Sequence, residues 1–329
     1  MQQIINPSAD PYFNMALEEY CIMHLPAQDD YFMLWQNPAA VIVGRNQNTL
    51  EEVNASYMEE QGIAVVRRLS GGGAVYHDPG NLNFTFVVEE NQDFNNFEKF
   101  TRPVIRTLQR IGISAENNGR NDITIAGKKF SGNAQFKHKH RLLHHGTILF
   151  ATDIEQMAKA LNPSPEKISS KGIKSVRSRV TNVSDHLPSA LTIEEFKQIL
   201  TEEVFRLDSG PQIYRLSDAD HQFINELRDQ KYARWEWNYG ASPPYNLRQV
   251  GSFSWGSLDI RLEVKRGLIR SCRIFGDFFS PREISELESL LLGTPFHAAG
   301  LRQRLKVIDL RQFFPQSNIE EFLSLLTQS

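Results

Sequence analysis

Cysteine is almost absent from this chain of 329 residues, which contains only Cys21 and Cys272. Two cysteines cannot build a disulfide framework or a cysteine-rich metal site. Long apolar runs are missing as well, so the sequence predicts no membrane-spanning helix and no membrane partner. The first residues contain neither a basic nor an apolar segment, and we therefore expect no targeting signal and a cytoplasmic protein.

Neither sign of charge dominates, because 36 Lys and Arg residues stand against 39 Asp and Glu residues, a formal net charge of −3. This balance disfavours a protein that binds nucleic acid through bulk charge, so we expect no nucleic-acid partner. Hydrophobic residues make up 40% and charged residues 23% of the chain. These values are ordinary for a globular protein and exclude wholesale disorder.

The order of the predicted elements indicates an α+β fold, with strands clustered first and helices interleaved later. One helix is expected to begin at Pro11 with Asp10 as its N-cap. Another helix opens with the capping-box pair Thr192 and Glu195. The run 82–88 alternates apolar and polar residues and predicts a half-buried strand. Further strands are expected at 31–35, 40–43, 63–67, 74–76, 122–126, 129–135 and 145–150, and further helices at 97–111 and 154–161.

The segment 239–245 predicts a linker, because glycine and paired prolines end regular structure there. Beyond it, a hairpin that turns at Arg266-Gly267 is followed by helical patterns, enough for a small α+β module. We therefore divide the chain into a first domain, 1–245, and a second domain, 246–329.

The most informative segment runs from Arg67 to Asp78 and contains three successive glycines between two predicted strands. Such a turn lets the backbone approach a ligand and offer its N–H groups. Arg67 and Arg68 add forked donors suited to phosphate or carboxylate. The alternative is a flexible turn with solvated arginines, but the flanking strands favour an anion or nucleotide cradle. The segment is not a P-loop, and without a G-x-S-x-G elbow Ser70 is a poor hydrolase nucleophile.

Polar and basic side chains recur in two later segments. Lys129, Ser131 and Asn133 would share one face of an alternating strand beside a substrate. The alternative is a charged hairpin tip with Lys128 and Lys129 in solvent. The basic segment 171–182 is interpreted either as a lid over a phosphate-bearing ligand or as an exposed linker.

Four histidines lie close together but do not predict a metal site, since neither cysteine nor carboxylate accompanies them. We interpret 138–141 as a hydrated loop that precedes a strand, and the basic run 137–141 as solvated. The four histidines are His138, His140, His144 and His145.

Together these segments resemble the lipoate–protein ligase family. The resemblance rests on ordered blocks at 67–81, 119–122, 129–132, 144–149 and 171–182. It implies the mixed α/β catalytic fold that this family shares with biotin ligases, here 1–245, followed by an accessory domain, 246–329. The implied reaction has two steps: lipoate is activated with ATP and Mg²⁺ to lipoyl-AMP, and the lipoyl group is then transferred to a lysine. The implied acceptors are apo lipoyl domains of 2-oxo acid dehydrogenase complexes and the glycine cleavage H protein.

The resemblance also implies which residues form the site. Lys129 falls on the family's essential lysine, and Asp122 is the candidate Mg²⁺ ligand. Contacts to ATP and lipoyl-AMP are implied for Arg68, Ser70, Gly73, Ala74, Val75, Tyr76, His77, Asn121, Asp122, Lys129 and Ser131. The adenylate-binding loop is implied for Lys171, Gly172, Ser175, Val176, Arg177 and Arg179.

Several other functions remain open at this point. An octanoyl- or lipoyl-amidotransferase of the same fold needs a reactive thiol, and neither Cys21 nor Cys272 lies near the motif blocks. A lipoyltransferase that uses preformed lipoyl-AMP is a second alternative, although no transit peptide is evident. A non-catalytic binding protein would be expected to lack the cation at Lys129. Biotin ligation would require a different glycine-rich signature.

Overall fold

The computed structural model describes residues 1–90, 93–118, 121–161, 179–206, 211–239 and 246–327. In this part of the chain the strands form one sheet of eight strands and two sheets of three. The strands are β1 Gln2–Ile5, β2 Tyr31–Trp35, β3 Ala40–Val43, β4 Ala64–Arg67, β5 Val75–His77, β6 Asn81–Glu89, β7 Glu116–Asn118, β8 Asp122–Ile125, β9 Lys128–His138, β10 Arg141–Leu149, β11 Gln212–Tyr214, β12 Leu247–Phe253, β13 Gly256–Lys265 and β14 Leu268–Phe278.

The helices begin where the capping signals of the sequence predict. Asp10 accepts a hydrogen bond from the backbone N–H of Tyr12, and Pro11 is the first helical residue. Thr192 and Glu195 form the expected capping box. The helices are α1 Pro11–Met23, α2 Thr49–Glu52, α3 Ala55–Gln61, α4 Phe97–Arg110, α5 Ile154–Ala160, α6 Ile193–Phe205, α7 Asp218–Leu227, α8 Trp235–Asn238, α9 Ile284–Leu291, α10 Ala298–Leu305 and α11 Ile319–Thr327, with short helical turns at Ser184–His186, Arg228–Tyr232 and Leu310–Gln312.

The eight-stranded sheet has the order β11-β1-β2-β6-β10-β9-β8-β7. It is mixed, because β1 is parallel to both of its neighbours whereas β2, β6, β10, β9 and β8 pair antiparallel. Its central strand β6 is buried along eight of nine residues. Val87 packs in one core cluster with Leu17 of α1, and Phe86 packs in another with Phe100 of α4. The expectation of a half-buried strand over 82–88 is therefore wrong, because helices cover both faces.

A smaller sheet carries the glycine-rich loop. β3 lies between β4, to which it is parallel, and β5, to which it is antiparallel. Residues 68–74 connect β4 to β5 and contain the three successive glycines. The loop therefore begins and ends on strands of one sheet, as the sequence predicts.

The C-terminal part has its own sheet and its own core. β12, β13 and β14 are antiparallel, and the expected hairpin turn is present at Arg266 and Gly267, with φ of 52° and 72°. Its core cluster contains no residue before Leu247. The α+β class is confirmed, although β12 was not expected from the sequence. The boundary between 1–245 and 246–329 stays a prediction, since residues 240–245 lie outside the described residues. No helix in the described ranges is both long and apolar enough to cross a membrane.

Candidate active site

A cavity of about 260 Å³ lies between the glycine-rich loop and the β9–β10 hairpin. It brings together residues from four of the five motif blocks that the sequence singled out. The predicted site residues that line it are Arg68, Gly73, Ala74, Val75, His77, Asn121, Asp122 and Lys129. Asp277, at the end of β14, also contributes to its wall, so the C-terminal module closes one side.

Three of the residues implied to contact ATP and lipoyl-AMP do not line this cavity, and neither does Arg179 of the implied adenylate-binding loop. Tyr76 packs in an apolar cluster on the opposite face of β5, where its hydroxyl donates to Gln156. Ser131 is 1% exposed and accepts a hydrogen bond from Asn133 Nδ2 at 3.2 Å. Ser70 is also 1% exposed and bonds within the protein. None of these three side chains lines the cavity, and their implied contacts with the nucleotide, which for Tyr76 concern the backbone, stay predictions.

Lys129 and Asp122 form the charged mouth of the cavity. Lys129 Nζ lies 2.7 Å from Asp122 Oδ1, and the two side chains are 38% and 35% exposed. The expected common face of Lys129 and Ser131 is wrong, because the pairing of β8 with β9 shifts between Ile123 and Thr124. Lys129 Nζ instead lies near Gly132. A β-bulge of this kind re-aims a side chain, here the one cation of β9 that lines the cavity.

The two arginines that precede the glycines are buried. The sequence predicted instead that their charges would face a ligand. Arg67 is 7% exposed and donates to the carbonyl oxygens of Gly44, Arg45 and Gln47. It also donates to Trp237 O at 2.9 Å, which ties α8 to β4. Arg67 therefore acts on the fold, and it does not line the cavity.

Arg68 holds the glycine-rich loop in place from inside. Its Nη2 donates to the carbonyl oxygens of Gly71 and Gly73, at 2.6 and 2.8 Å, and its Nη1 donates to Ile42 O. Burial lowers the pKa of Arg68 to about 10, so the guanidinium stays charged at neutral pH. Because most of its donors are used by the backbone, Arg68 shapes the loop as well as lining the cavity.

The glycines leave room for the C-terminal module. A Cβ on Gly71 would lie 2.0 Å from the carbonyl oxygen of Phe278, so only glycine fits there. The N–H of Gly72 donates to that same oxygen at 3.2 Å. The expectation that these N–H groups face an anion is thus wrong for Gly72, whose donor is used by β14.

A chain of hydrogen bonds that the sequence did not predict runs behind the loop. Arg68 Nε donates to Ser70 Oγ at 2.9 Å, and Ser70 Oγ lies 2.6 Å from His145 Nε2. His145 Nδ1 lies 2.9 Å from both carboxylate oxygens of Glu18, which also accepts from Thr85 at 2.6 Å.

This arrangement has the order of a serine–histidine–acid triad, but it cannot serve as one. Ser70 is buried, does not line the cavity, and uses its oxygen to accept from Arg68. A nucleophile must reach its substrate, so the chain instead fixes the orientation of Arg68. Glu18 and His145 were missed because they are 127 positions apart. The sequence signal for Glu18 is that it stands with Glu19 inside an otherwise mostly apolar first helix.

Part of the cavity wall is formed by side chains that are shielded from solvent, several of them apolar, and we call this part the closed end. Met15, Trp35, Ile42 and Val75 contribute apolar side chains there, of which Met15, Trp35 and Ile42 are at most 4% exposed. His77 also lines this end, and burial lowers its pKa to about 3, with Arg68 and His145 acting in the same direction. Its imidazole is therefore neutral at physiological pH.

The expected hydrated loop is confirmed at Lys139 and His140, which form an exposed turn between β9 and β10, but it is wrong at Arg141. Arg141 is 3% exposed and donates to the carbonyl oxygens of Leu25, Pro26 and Asp29, so it is not solvated. His144 is buried inside β10 and stacks on Phe100. Among the described residues no group of three potential metal ligands occurs.

Neither cysteine is placed for covalent catalysis. Cys21 and Cys272 are both buried and neither lines the cavity. Burial raises the pKa of both thiols, which disfavours the thiolate that a nucleophile needs. This geometry argues against thioester chemistry in the cavity.

The basic segment is described only at its end. Residues 171–178, and with them Lys171, Gly172, Ser175, Val176 and Arg177, lie outside the described residues. Directly after Arg179, Val180 pairs with Lys129 and the N–H of Thr181 donates to Lys129 O at 3.0 Å. The described end of the segment is therefore adjacent to the mouth of the cavity.

Comparison with protein families and known proteins agrees with this geometry. Residues 10–205 match the family model of the lipoyl protein ligase A/B catalytic domain. Residues 242–326 match the model of the bacterial lipoate protein ligase C-terminus. The chain belongs to the lipoate–protein ligase family. Members of this family are enzymes that join lipoate to protein, so the expected ligase class is confirmed.

Relatives in this family match over nearly their full length. A lipoate-protein ligase of Bacillus subtilis is 46% identical over 96% of this chain and 97% of its own. Lipoate–protein ligase 1 of Staphylococcus aureus is 43% identical over 98% of each chain. Among solved structures, LipL1 of P. falciparum in complex with lipoate has a TM-score of 0.80 at 25% identity, covering 98% of this chain and 97% of that one. A lipoate-protein ligase A bound with ATP has a TM-score of 0.62 at 27% identity, covering 73% and 98%.

Proposed function

We propose that this chain is an ATP-dependent lipoate–protein ligase that makes and uses lipoyl-AMP in the cavity described above. The observation that carries the proposal is the polarity of the cavity, with a closed apolar end and a mouth that holds Lys129 and Asp122. An acid with a long apolar tail can bind in this cavity in only one orientation. Its tail enters the closed end, and its carboxylate stops at the mouth beside Lys129.

In the first step a lipoate carboxylate oxygen attacks the α-phosphorus of ATP. A new P–O bond forms, and the bond from the α-phosphorus to the bridging oxygen breaks, releasing pyrophosphate. Lys129 Nζ provides a cation where negative charge gathers on the α-phosphate and carboxyl oxygens. A preformed cation stabilises that charge without first having to reorient solvent.

In the second step the uncharged ε-amine of an acceptor lysine attacks the carbonyl carbon of lipoyl-AMP. The amide C–N bond forms, the C–O bond to the phosphate breaks, and AMP leaves as the amine loses a proton. Lys129 again lies where the leaving phosphate gains charge. We propose that the segment 171–182 shields the mixed anhydride from water, and the position of its residue Thr181 beside Lys129 supports this.

The residues at the mouth fit a magnesium ion brought in with ATP. Mg²⁺ is commonly bound by one or two carboxylates together with substrate phosphates, rather than by an all-protein cage. Asp122 offers such a carboxylate, 35% exposed and beside Asn121. When bound, the ion would neutralise phosphate charge, and Asp122 would exchange Lys129 for it.

The acceptors that we propose are apo lipoyl domains of 2-oxo acid dehydrogenase complexes and the glycine cleavage H protein. A bipartite lipoate protein ligase from Thermoplasma acidophilum, solved in a study that includes its E2 lipoyl domain, is 29% identical and has a TM-score of 0.66. That relative supports a lipoyl domain as the partner class. A cytoplasmic location and the division into domains 1–245 and 246–329 belong to the same proposal.

One assay separates this proposal from an amidotransferase. The protein is incubated with lipoate, ATP, Mg²⁺ and an apo lipoyl domain, and acceptor mass and AMP are followed together. We expect lipoyl transfer with one AMP formed per acceptor modified and no transfer without ATP. Transfer of octanoyl from an acyl carrier protein without ATP would contradict the proposal. Transfer that requires added lipoyl-AMP and fails with free lipoate would indicate a lipoyltransferase.

A further inference from the structure

The end of the Lys129 side chain lies against a glycine of its own strand, Gly132. A Cβ built on Gly132 would lie 2.8 Å from Lys129 Nζ and 3.0 Å from its Cε. The next nearest atom is Asp122 Oδ1 at 3.9 Å, the oxygen that pairs with the ammonium. The ammonium therefore stands in space that a side chain at position 132 would take.

The bulge in β9 explains why these two residues share a face. Residues three positions apart in a regular strand point to opposite faces of the sheet. Here Asp122 of β8 pairs with Gly132. Thr124, two positions further along β8, pairs with Lys129, so one residue of β9 between them is extra. Lys129 and Gly132 consequently face the same side, and Asp122 becomes the diagonal neighbour that a long side chain can reach.

The backbone beneath this contact is held by hydrogen bonds. The N–H of Gly132 donates to Thr147 Oγ1 at 3.2 Å, and the hydroxyl of Thr147 donates to Gly132 O at 3.4 Å. The carbonyl oxygen of Lys129 accepts from the N–H of Thr181 at 3.0 Å. Since both backbone segments are fixed, the position of the ammonium depends on the lysine side chain and on what lies beneath it.

Backbone conformation does not explain why position 132 is glycine. Gly132 does not have a positive φ, so its conformation is open to other residues. Within the described part of the chain, apart from its sequence neighbours, only Lys129 has atoms closer than 3.9 Å to the added Cβ. Gly71 differs, because its Cβ would strike a backbone carbonyl oxygen. An alanine at position 132 would thus meet the lysine and little else.

We propose that Gly132 is a positioning residue for adenylation, because the missing side chain sets where the ammonium of Lys129 stands. The inference rests on the proposed function, in which this ammonium stabilises charge on the α-phosphate and carboxyl oxygens. With alanine, the 2.8 Å contact would be shorter than the about 3.5–4.0 Å at which nonbonded heavy atoms pack, so the ammonium would move. The end of a flexible side chain moves at little cost in stability, whereas a displaced cation stabilises the transition state less well.

The test compares the wild-type chain with Gly132→Ala and with a matched control, Gly251→Ala. Gly251 also lies inside a strand without a positive φ, and its Cβ would meet the end of a side chain, Leu325 Cδ1, at 3.0 Å. It does not line the cavity. For each protein we measure kcat of lipoate-dependent pyrophosphate exchange, the Kd of lipoate by calorimetry, and the urea midpoint of unfolding.

We expect kcat to fall in Gly132→Ala while the Kd of lipoate and the urea midpoint stay close to wild type. A misplacement of about 1 Å can cost on the order of 10²-fold in rate, so a smaller shift should cost about tenfold. Gly251→Ala should keep the wild-type kcat. Equal kcat in all three proteins would overturn the inference. A rise in Kd that accounts for the whole loss would also overturn it, because the methyl group would then be filling the cavity.

A double-mutant cycle separates an effect through Lys129 from an effect on the fold. If Gly132 acts through the ammonium, Gly132→Ala should lower the rate of exchange by less than about twofold once Lys129→Met has removed that ammonium. A loss of about tenfold in both backgrounds would overturn the inference, since Gly132 would then act without the cation.

A measurement with Gly132 intact keeps the inference testable if Gly132→Ala fails to fold. In Lys129→Cys the new thiol stands at an exposed position, whereas Cys21 and Cys272 are buried, so an alkylating agent reacts with the new one. Its thiolate displaces bromide from 2-bromoethylamine, which gives a side chain of lysine length, or from 3-bromopropylamine, which gives one longer by a methylene group. We expect the shorter adduct to restore at least about ten times more exchange than the longer one. Equal restoration would contradict a fixed position of the ammonium.

Failure of this inference differs from failure of the proposed function. A wild-type chain without lipoate-dependent exchange would contradict the proposed function itself. Exchange in the wild-type chain that is undiminished in Gly132→Ala would contradict only the role assigned to Gly132.

Discussion

At the mouth of the cavity Lys129 and Asp122 form an ion pair, and their side chains are 38% and 35% exposed. At the closed end Glu18 and His145 are hydrogen-bonded to each other and buried. An exposed ion pair contributes only about 0–1 kcal/mol and is readily exchanged for another partner. A buried network costs far more to rearrange. The comparison suggests that the mouth changes partners during two chemical steps while the closed end keeps one shape.

Removing the cation at the mouth should have the largest effect. We expect Lys129→Met, which keeps the length of the side chain, to lower the rate of adenylation by about 10²–10³-fold. Lipoate affinity should change much less, because the tail binds at the other end. Steady-state kinetics and calorimetry measure the two quantities separately.

The matched control for this variant is Lys128→Met, since Lys128 is the adjacent, exposed lysine and does not line the cavity. It should retain the wild-type rate. Equal losses in both variants would mean that general charge near β9, and not the position of Lys129, matters.

Disturbing the closed end should cost stability. Glu18→Gln replaces one acceptor oxygen by an NH2 group. This NH2 group would face either the N–H of His145 or the O–H of Thr85, and both of these groups are donors. We expect the free energy of unfolding to fall by about 1–3 kcal/mol, measured by urea denaturation. Glu60→Gln, at an exposed position, should change it by less than about 0.5 kcal/mol. A Glu18→Gln protein as stable as the control would show that the network is not strongly held.

The loop between the two ends is tested by Gly72→Ala. Gly72 has φ of 89°, and an added Cβ would lie 3.0 Å from Arg68 Nη2. We expect a loss of about 1 kcal/mol in stability and about a tenfold lower rate of adenylation, because the loop and Arg68 shift together. Gly62→Ala has similar backbone strain, φ of 63°, with no neighbour within 4 Å. It should lose similar stability and keep its activity, and equal activities in the two variants would contradict the role assigned to the loop.

The stability of the chain should also depend on pH. Burial lowers the pKa of His77 to about 3 and that of His144 well below its usual value. As the pH falls below about 6.5, these histidines become protonated in the unfolded chain but stay neutral in the folded chain. The free energy of unfolding is therefore greatest above pH 6.5 and decreases towards pH 3. His77→Gln removes one of these titrating groups and should make the decrease of the unfolding free energy with falling pH shallower. Parallel curves of unfolding free energy against pH for the two proteins would contradict this.

Part of the site could be predicted from the sequence because the motif blocks contain residues that line the cavity. Arg68, Asp122 and Lys129 were predicted together, and the fold brings them to one cavity. Alternation along β5 could also have shown that Tyr76 faces away from Val75 and His77, as it does.

Other features depend on contacts that no local pattern encodes. The partners of Arg67 include a backbone carbonyl 170 positions away, and backbone acceptors leave no trace in residue types. Glu18 meets His145 across 127 positions. The bulge that separates Lys129 from Ser131 is set by sheet pairing, not by composition. Long-range pairing therefore explains most of what the sequence did not predict.

The most direct test of the account is lipoate-dependent exchange of labelled pyrophosphate into ATP, measured without any acceptor protein. Exchange reports adenylation alone, at the mouth of the cavity. We predict exchange in the wild-type chain that requires both lipoate and Mg²⁺, and its loss in Lys129→Met but not in Lys128→Met. No lipoate-dependent exchange in the wild-type chain, or undiminished exchange in Lys129→Met, would contradict the account.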